Sequence, residues 1–171
     1  MHKYEITKYD PNLRDEKRRC FKEDWTAISD IGKSFEGKLL TIDSYKQIED
    51  CYIKAIIMVM EYLQIPFLSV NHVVWSFSYE KFRDLRRDCE LYSQYIMEMY
   101  NSIKDGYKLD LAQVDSFCRL LLCEDVGSDV FYPRRMKVFI GYDYLMGIHV
   151  SKSIDTLITS IEQLGLFVEK Y

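Results

Sequence analysis

Apolar and polar residues alternate from the start of the chain. Tyr4 and Ile6 fall on one side and Lys3, Glu5 and Thr7 on the other, the period of a half-buried strand over Lys3–Tyr9. Asp10-Pro11-Asn12 closes that strand as a turn. Residues 13–40 keep no period. Arg14–Arg19 is a mixed-charge, solvated stretch, and Trp25, Ile28, Ile31 and Phe35 read as apolar pins holding an irregular segment to the core, with Gly32 and Gly37 in its turns.

The period then becomes helical. Ile48, Cys51, Tyr52, Ala55, Ile56, Val59, Met60 and Leu63 recur at steps of three and four, predicting a helix from Ser44 to Leu63. Ser44 with Gln47 reads as its capping box and Pro66 as its stop. Ile53, Ile57 and Met58 widen the apolar stripe, which makes this helix the central and most buried element. Phe67–Phe77 is rich in β-branched and aromatic residues and fits either a short strand or an extended connector.

Ser78 starts a long helix whose apolar face is Phe82, Leu85, Cys89, Tyr92, Ile96, Met99 and Ile103, ended by Asp105-Gly106. Asp110 caps a third helix with Gln113 at the reciprocal position and Val114, Phe117, Cys118, Leu121 and Leu122 as its stripe. A polar loop follows. Met136–Ile140 and Tyr144–Val150 then read as a hairpin around Gly141-Tyr142-Asp143. A last helix carries Ile154, Leu157, Ile158, Ile161 and Leu164 and stops at Gly165, and Leu166–Glu169 is a closing strand. The expected fold class is α+β. A small antiparallel sheet from the N-terminal strand, the late hairpin and the C-terminal strand packs with about four helices in a single domain, residues 1–171.

Composition narrows the function. Hydrophobic residues make up 48% and charged residues 29% of the chain, which excludes a disordered tail and a membrane bundle. The net charge of -4 lacks the basic excess that nucleic-acid binding usually needs. No apolar stretch of signal-peptide length follows Met1-His2-Lys3-Tyr4-Glu5, and the run Ala55–Met60 is too short to span a bilayer, so a cytoplasmic location is expected. The cysteines, Cys20, Cys51, Cys89, Cys118 and Cys123, are irregularly spaced, with neither a CxxC nor an HxxxH pair, and read as reduced thiols rather than zinc ligands.

The search for chemistry yields little. His2 is terminal, His149 sits in a strand pattern and His72 in the ambiguous segment; either of the last two with a cysteine or carboxylate is the basis of an enzymatic alternative. Gly32-Lys33-Ser34 lacks the upstream glycine of a phosphate loop, since position 27 is Ala27, and reads as a turn. The acidic pairs Asp15-Glu16, Glu23-Asp24 and Glu49-Asp50 fit solvated faces. Glu124-Asp125 differs, because carboxylates just past a helix end oppose the macrodipole and point to another use. Tyr132-Pro133-Arg134-Arg135 is the one segment mixing aromatic and basic residues. No residue pattern asks for a cofactor or a metal.

Several segments together resemble a known family: Tyr4-Glu5-Ile6-Thr7-Lys8-Tyr9-Asp10 followed by Arg14-Asp15-Glu16, then Glu23-Asp24-Trp25-Thr26 running into Ser29-Asp30-Ile31-Gly32, Leu120-Leu121-Leu122-Cys123-Glu124, and Ile140-Gly141-Tyr142-Asp143-Tyr144-Leu145-Met146. They are similar to the small bacterial immunity proteins of contact-dependent growth inhibition and related polymorphic toxin systems. The likeness spans Tyr4 to about Val168, with Leu145 where the family favours Tyr and Cys123 where it favours Arg. The resemblance implies a cytoplasmic antidote without enzyme activity. Its partner would be a cognate toxin, a nuclease and by analogy an EndoU-type ribonuclease, with neither nucleic acid nor membrane bound directly. A nuclease cleft is basic, so carboxylates and tyrosines are the expected contacts. The candidates are Tyr142, Asp143 and Tyr144 in the hairpin, then Glu124, Asp125 and Asp30. A non-toxin adaptor domain is the remaining alternative.

Overall fold

The computed structural model describes residues 1–15 and 23–171, and Tyr142 in its backbone alone. Cys20 and the part of the mixed-charge stretch from Glu16 to Arg19 lie outside the described residues. The fold is α+β. In chain order the elements are β1 (His2–Thr7), β2 (Ser34–Phe35), β3 (Lys38–Leu39), α1 (Ile42–Tyr62), β4 (Leu68–Trp75), α2 (Tyr79–Arg86), α3 (Gln94–Ser102), β5 (Lys108–Leu109), α4 (Leu111–Leu122), β6 (Val126–Tyr132), β7 (Met136–Ile140), β8 (Met146–Val150), α5 (Ile158–Glu162) and β9 (Phe167–Lys170). Among the described residues no helix is long and apolar enough to cross a membrane.

The main sheet has seven strands in the order β5-β4-β6-β7-β8-β1-β9, and β2 with β3 forms a separate small hairpin. Every pairing in it is antiparallel. The N-terminal strand, the late hairpin and the C-terminal strand are neighbours, as expected. The sheet is larger than expected because β4, β5 and β6 extend it beyond β7. The segment taken for a polar loop is β6. Its Gly127, Ser128 and Asp129 hide the alternation, yet Val126 and Val130 are buried. Antiparallel sheets can leave one face in water, so half of such a strand is free to be polar.

Register places the core. Tyr4 is opposite Ile148, Val138 opposite Ile148, Val130 opposite Val138 and Val70 opposite Val130, so these side chains share one face. They are buried in one cluster with the stripes of α1 and α4. The opposite face carries the alternate residues of the same strands.

Helix α1 starts two residues earlier than the sequence reading places it. Its capping box joins Thr41 and Ser44: Thr41 Oγ1 accepts from the Ser44 N–H at 3.2 Å, and Ser44 Oγ accepts from the Thr41 N–H at 3.0 Å. The long helix expected from Ser78 to Ile103 is two helices, with Ser93 capping the second. Arg86 and Tyr92 both reach the buried carboxylate of Asp125. In an unbroken helix two residues six positions apart sit about 9 Å apart along the axis and about 120° apart around it, and the turn between the two helices lets both side chains converge. The last expected helix is a short 3-10 turn, Asp155–Leu157, running into α5.

Candidate functional site

The end of α4 closes in the pattern usually made by glycine. The Asp125 N–H donates to Leu120 O at 3.0 Å and the Glu124 N–H to Leu121 O at 3.1 Å, the paired bonds of a Schellman motif. The closing residue must take the left-handed conformation, and here it is Glu124, at φ 57. A non-glycine residue gives up roughly 1–2 kcal/mol there. The carboxylate also adds its charge to the negative end of the helix. The Glu124 side chain is exposed and makes no hydrogen bond or ion pair among the described residues. Helix α1 closes in the same way with Gln64 at φ 53; what Glu124 adds is an exposed charge at that position.

The β7–β8 turn repeats this arrangement. It runs over Gly141–Leu145, closed by the Gly141 N–H on Leu145 O at 2.8 Å, and β8 starts at Met146 rather than Tyr144. Asp143 and Tyr144 are both left-handed, at φ 58 and φ 60. Asp tolerates that region; a bulky Tyr does so only where its surroundings hold it. Tyr144 is held. It is 3% exposed, with the rings of Trp25, Tyr45 and Tyr52 at 5.0, 6.0 and 5.6 Å. Its hydroxyl bonds that of Tyr45, and its carbonyl accepts from Tyr52 Oη at 2.7 Å. Asp143 itself points into solvent, as does the neighbouring Leu145.

One buried polar layer supports both loops. Glu49 on α1 is fully buried. Its Oε1 accepts from Cys123 Sγ at 3.1 Å and its Oε2 from Arg119 Nη1 at 3.2 Å. Arg119 also pairs with Asp50 at 2.5 Å and Asp115 at 3.1 Å. Cys123, the residue before Glu124, lies 3.5 Å from Tyr45 Oη, and Tyr45 holds Tyr144, the residue after Asp143. On the other side of Glu124, Asp125 takes a two-pronged bond from Arg86, Nε at 3.1 Å and Nη2 at 2.8 Å, and a bond from the Tyr92 hydroxyl. Burial pushes the Glu49 carboxyl up to about 7, against the opposing pull of the Cys123 thiol and Arg119. Burial likewise drives the Cys123 thiol well above its ordinary value.

The two loops sit at one end of the sheet, where β6 begins and β7 ends. There a pocket of about 430 Å³ is lined by Glu124 and by Gly141, the first residue of the turn, together with Val74, Ser76, Leu121 and Ile140. On its rim Val74 is 65% exposed, whereas Trp75 turns to the other face of β4, where its Nε1 donates to Tyr100 O at 3.2 Å. The exposed acid therefore borders an exposed apolar side chain.

The other expected contacts are placed differently. Asp125 is fully buried and Tyr144 nearly so, which corrects their reading as surface contacts: both are internal anchors of the loops that carry Glu124 and Asp143. Asp30 caps the 3-10 turn Ile28–Asp30. It accepts from the Thr26 and Ala27 N–H groups at 2.9 and 3.2 Å and pairs with Lys33 at 2.8 Å, so its carboxylate is engaged within its own turn. The side chain of Tyr142 lies outside the described structure. Among the described residues neither histidine meets a cysteine: His72 pairs with Asp129 at 2.9 Å, and His149 packs edge-on against Phe139. Cys51, Cys89, Cys118 and Cys123 are free thiols. Among the described residues no group of three His, Cys, Asp or Glu side chains is arranged to hold a metal ion.

Sequence reading placed Glu49 on a solvated face, which its full burial corrects, and missed Arg119 and Arg86. One signal was present: Tyr45, Glu49, Tyr52 and Ile56 fall on one stripe, and a carboxylate inside an apolar stripe marks a buried network. Val74 and Trp75 left no such mark, because their exposure depends on which strand pairs with β4. Comparison with protein-family models, with curated proteins and with solved structures returns no match for this chain.

Proposed function

We propose that this chain is a cytoplasmic immunity protein that binds and neutralises a cognate toxin, a nuclease delivered by contact-dependent growth inhibition, with an EndoU-type ribonuclease as its class. The proposal rests on the resemblance across most of the chain. The observation that best supports it is Glu124, an exposed carboxylate held at φ 57 in a glycine position. A charge kept in place at a cost to the fold fits a role outside the fold. Asp143, in the adjacent turn, is presented in the same way. The contact surface consists of Glu124 and Asp143, with Val74 and Leu145 as its apolar part. The acids enter the basic cleft of the nuclease and the apolar residues exclude water around them.

Co-expression with a nuclease toxin of this class is the direct test. Cells carrying both survive, and cells dying at the same rate with and without this chain would refute the function. The surface is tested separately by Glu124→Gln and Asp143→Asn, which remove charge while keeping shape and backbone preference. Each raises the toxin Kd by about tenfold or more, equal to about 1.4 kcal/mol, with an unfolding midpoint no lower than wild type. Wild-type affinity in both variants would dismiss the surface and leave the function standing.

A further inference from the structure

The face of the sheet turned away from the helices has a charge pattern that the fold alone does not favour. Register aligns Lys3 on β1 with His149 on β8, and His149 with Lys137 on β7. The same row continues through Phe131 on β6 and Ser69 on β4 to Lys108 on β5. Six neighbouring strands thus contribute Lys, His, Lys, Phe, Ser and Lys, side by side at the strand spacing of about 4.8 Å. Lys3 and Lys137 flank His149 from its two sides. His149 registers this: burial first, then Lys3 and Lys137, hold its imidazole below the ordinary value. Its Nε2 is closed off from solvent without a hydrogen-bond partner among the described residues.

The acids on this face are already engaged. Asp129 serves two cations, Lys137 and His72, each at 2.9 Å. Glu5 and Glu169 converge on Arg14, at 3.3 and 2.5 Å. Lys3 is exposed and makes no ion pair among the described residues, and Arg134 projects from the β6–β7 turn. Aromatic rings lie among these cations. Phe139 packs against Gly147, where any added Cβ would collide with the ring, and Phe131 sits in the basic row itself. Phe131 and Lys137 line a pocket of about 360 Å³ with Arg134, His72 and Asn71.

Cations in a line with half-exposed rings between them complement a chain of phosphates carrying flat bases. An acidic peptide would satisfy the cations and leave the rings unused. We propose that this open sheet face binds single-stranded nucleic acid, with Lys3, Lys137 and Lys108 on phosphates and Phe131 and Phe139 stacked on bases. The net charge of -4 argued against such a ligand. The structure changes that reading by collecting residues 3, 108, 137 and 149 into one row and leaving Glu124 and Asp143 at an end of the sheet. The proposal is independent of the toxin reading.

The test is fluorescence anisotropy of the full chain with labelled single-stranded RNA and DNA of about ten nucleotides, from about 50 mM salt upward. Binding is expected, weakening linearly with the logarithm of salt concentration. Lys3→Glu, at an exposed side chain that cannot unfold the sheet, is expected to weaken binding about tenfold and lower the salt slope by about one. Phe131→Ala is expected to weaken it about fivefold to a hundredfold at an unchanged slope. Absence of binding at low salt overturns the proposal, as does affinity indifferent to Lys3→Glu. Competition by heparin equal to that by oligonucleotide, with Phe131→Ala as tight as wild type, also overturns it in favour of a bare polyanion patch. A toxin affinity unchanged in Lys3→Glu separates this surface from the toxin-binding one.

Discussion

Replacing Glu124 by glycine is expected to stabilise the fold while weakening toxin binding, opposite signs that few other substitutions produce. Glu124 holds φ 57 at the closing position of α4, so glycine relieves roughly 1–2 kcal/mol of left-handed strain. Removing a carboxylate from the helix C-terminus contributes a further ~0.3–1 kcal/mol. Against this, glycine adds about 0.4–1 kcal/mol of unfolded-chain entropy. The backbone bonds are indifferent to the side chain: the N–H still donates to Leu121 O and the carbonyl still accepts from Ser76 Oγ. The net is a gain of about 1 kcal/mol, or about 2–4 °C in Tm for a chain of this size. Thermal and urea unfolding with coincident probes measure it, with Glu124→Ala as the control that removes the charge and keeps the strain. A midpoint of Glu124→Gly equal to or below wild type would refute the strain argument, and with it the inference that this acid is kept for a partner. A raised midpoint with full toxin affinity would leave the strain real and Glu124 outside the contact.

Four further outcomes follow from the same geometry. Asp125→Ala strands Arg86 and the Tyr92 hydroxyl in the interior and is expected to cost about 3–5 kcal/mol in urea unfolding, with Arg86→Met and Asp125→Leu together recovering much of it. Glu49 titrates at about 7 in the fold against an ordinary value of 4.5, so its contribution to stability is complete below about pH 4.5 and is lost as pH rises to about 7; the stability of wild type minus that of Glu49→Gln therefore falls across that window, and a flat difference would refute the burial argument. Ile56→Ala, at a fully buried position of α1, is expected to cost about 2–5 kcal/mol, and a loss below about 1 kcal/mol would show that the core lies elsewhere. Gly147→Ala drives a methyl into the Phe139 ring and is expected to cost about 1–3 kcal/mol by thermal unfolding, less when Phe139 is also made Leu.

Much of this protein is local and so was legible in its sequence. The period of three and four residues marks α1 and α4 because a helix presents one face to one neighbour, whatever that neighbour is. Asp110 with Gln113 caps α4 through bonds made within four residues. The alternation of Tyr4 and Ile6 survives because β1 has one buried face and one open face. Asp143 and Glu124 were legible as acids in turns, since turn chemistry is also short-ranged.

What only the tertiary structure decided involves residues distant along the chain. The helix from Ser78 to Ile103 has an unbroken apolar stripe, yet it is two helices, and the turn between them brings Arg86 and Tyr92 onto Asp125, more than thirty residues from Tyr92. Tyr144 and Asp125 carry polar groups that suit a surface, and both are buried because Tyr45 and Arg86 meet them there. No local pattern distinguishes an exposed turn tyrosine from one anchored by another helix. The row of Lys3, His149 and Lys137 exists only through strand register, and register is set by which faces bury their apolar halves rather than by any one strand. A net charge records how many charges a chain carries; the antiparallel pairing of β1, β8 and β7 decides which of them stand together.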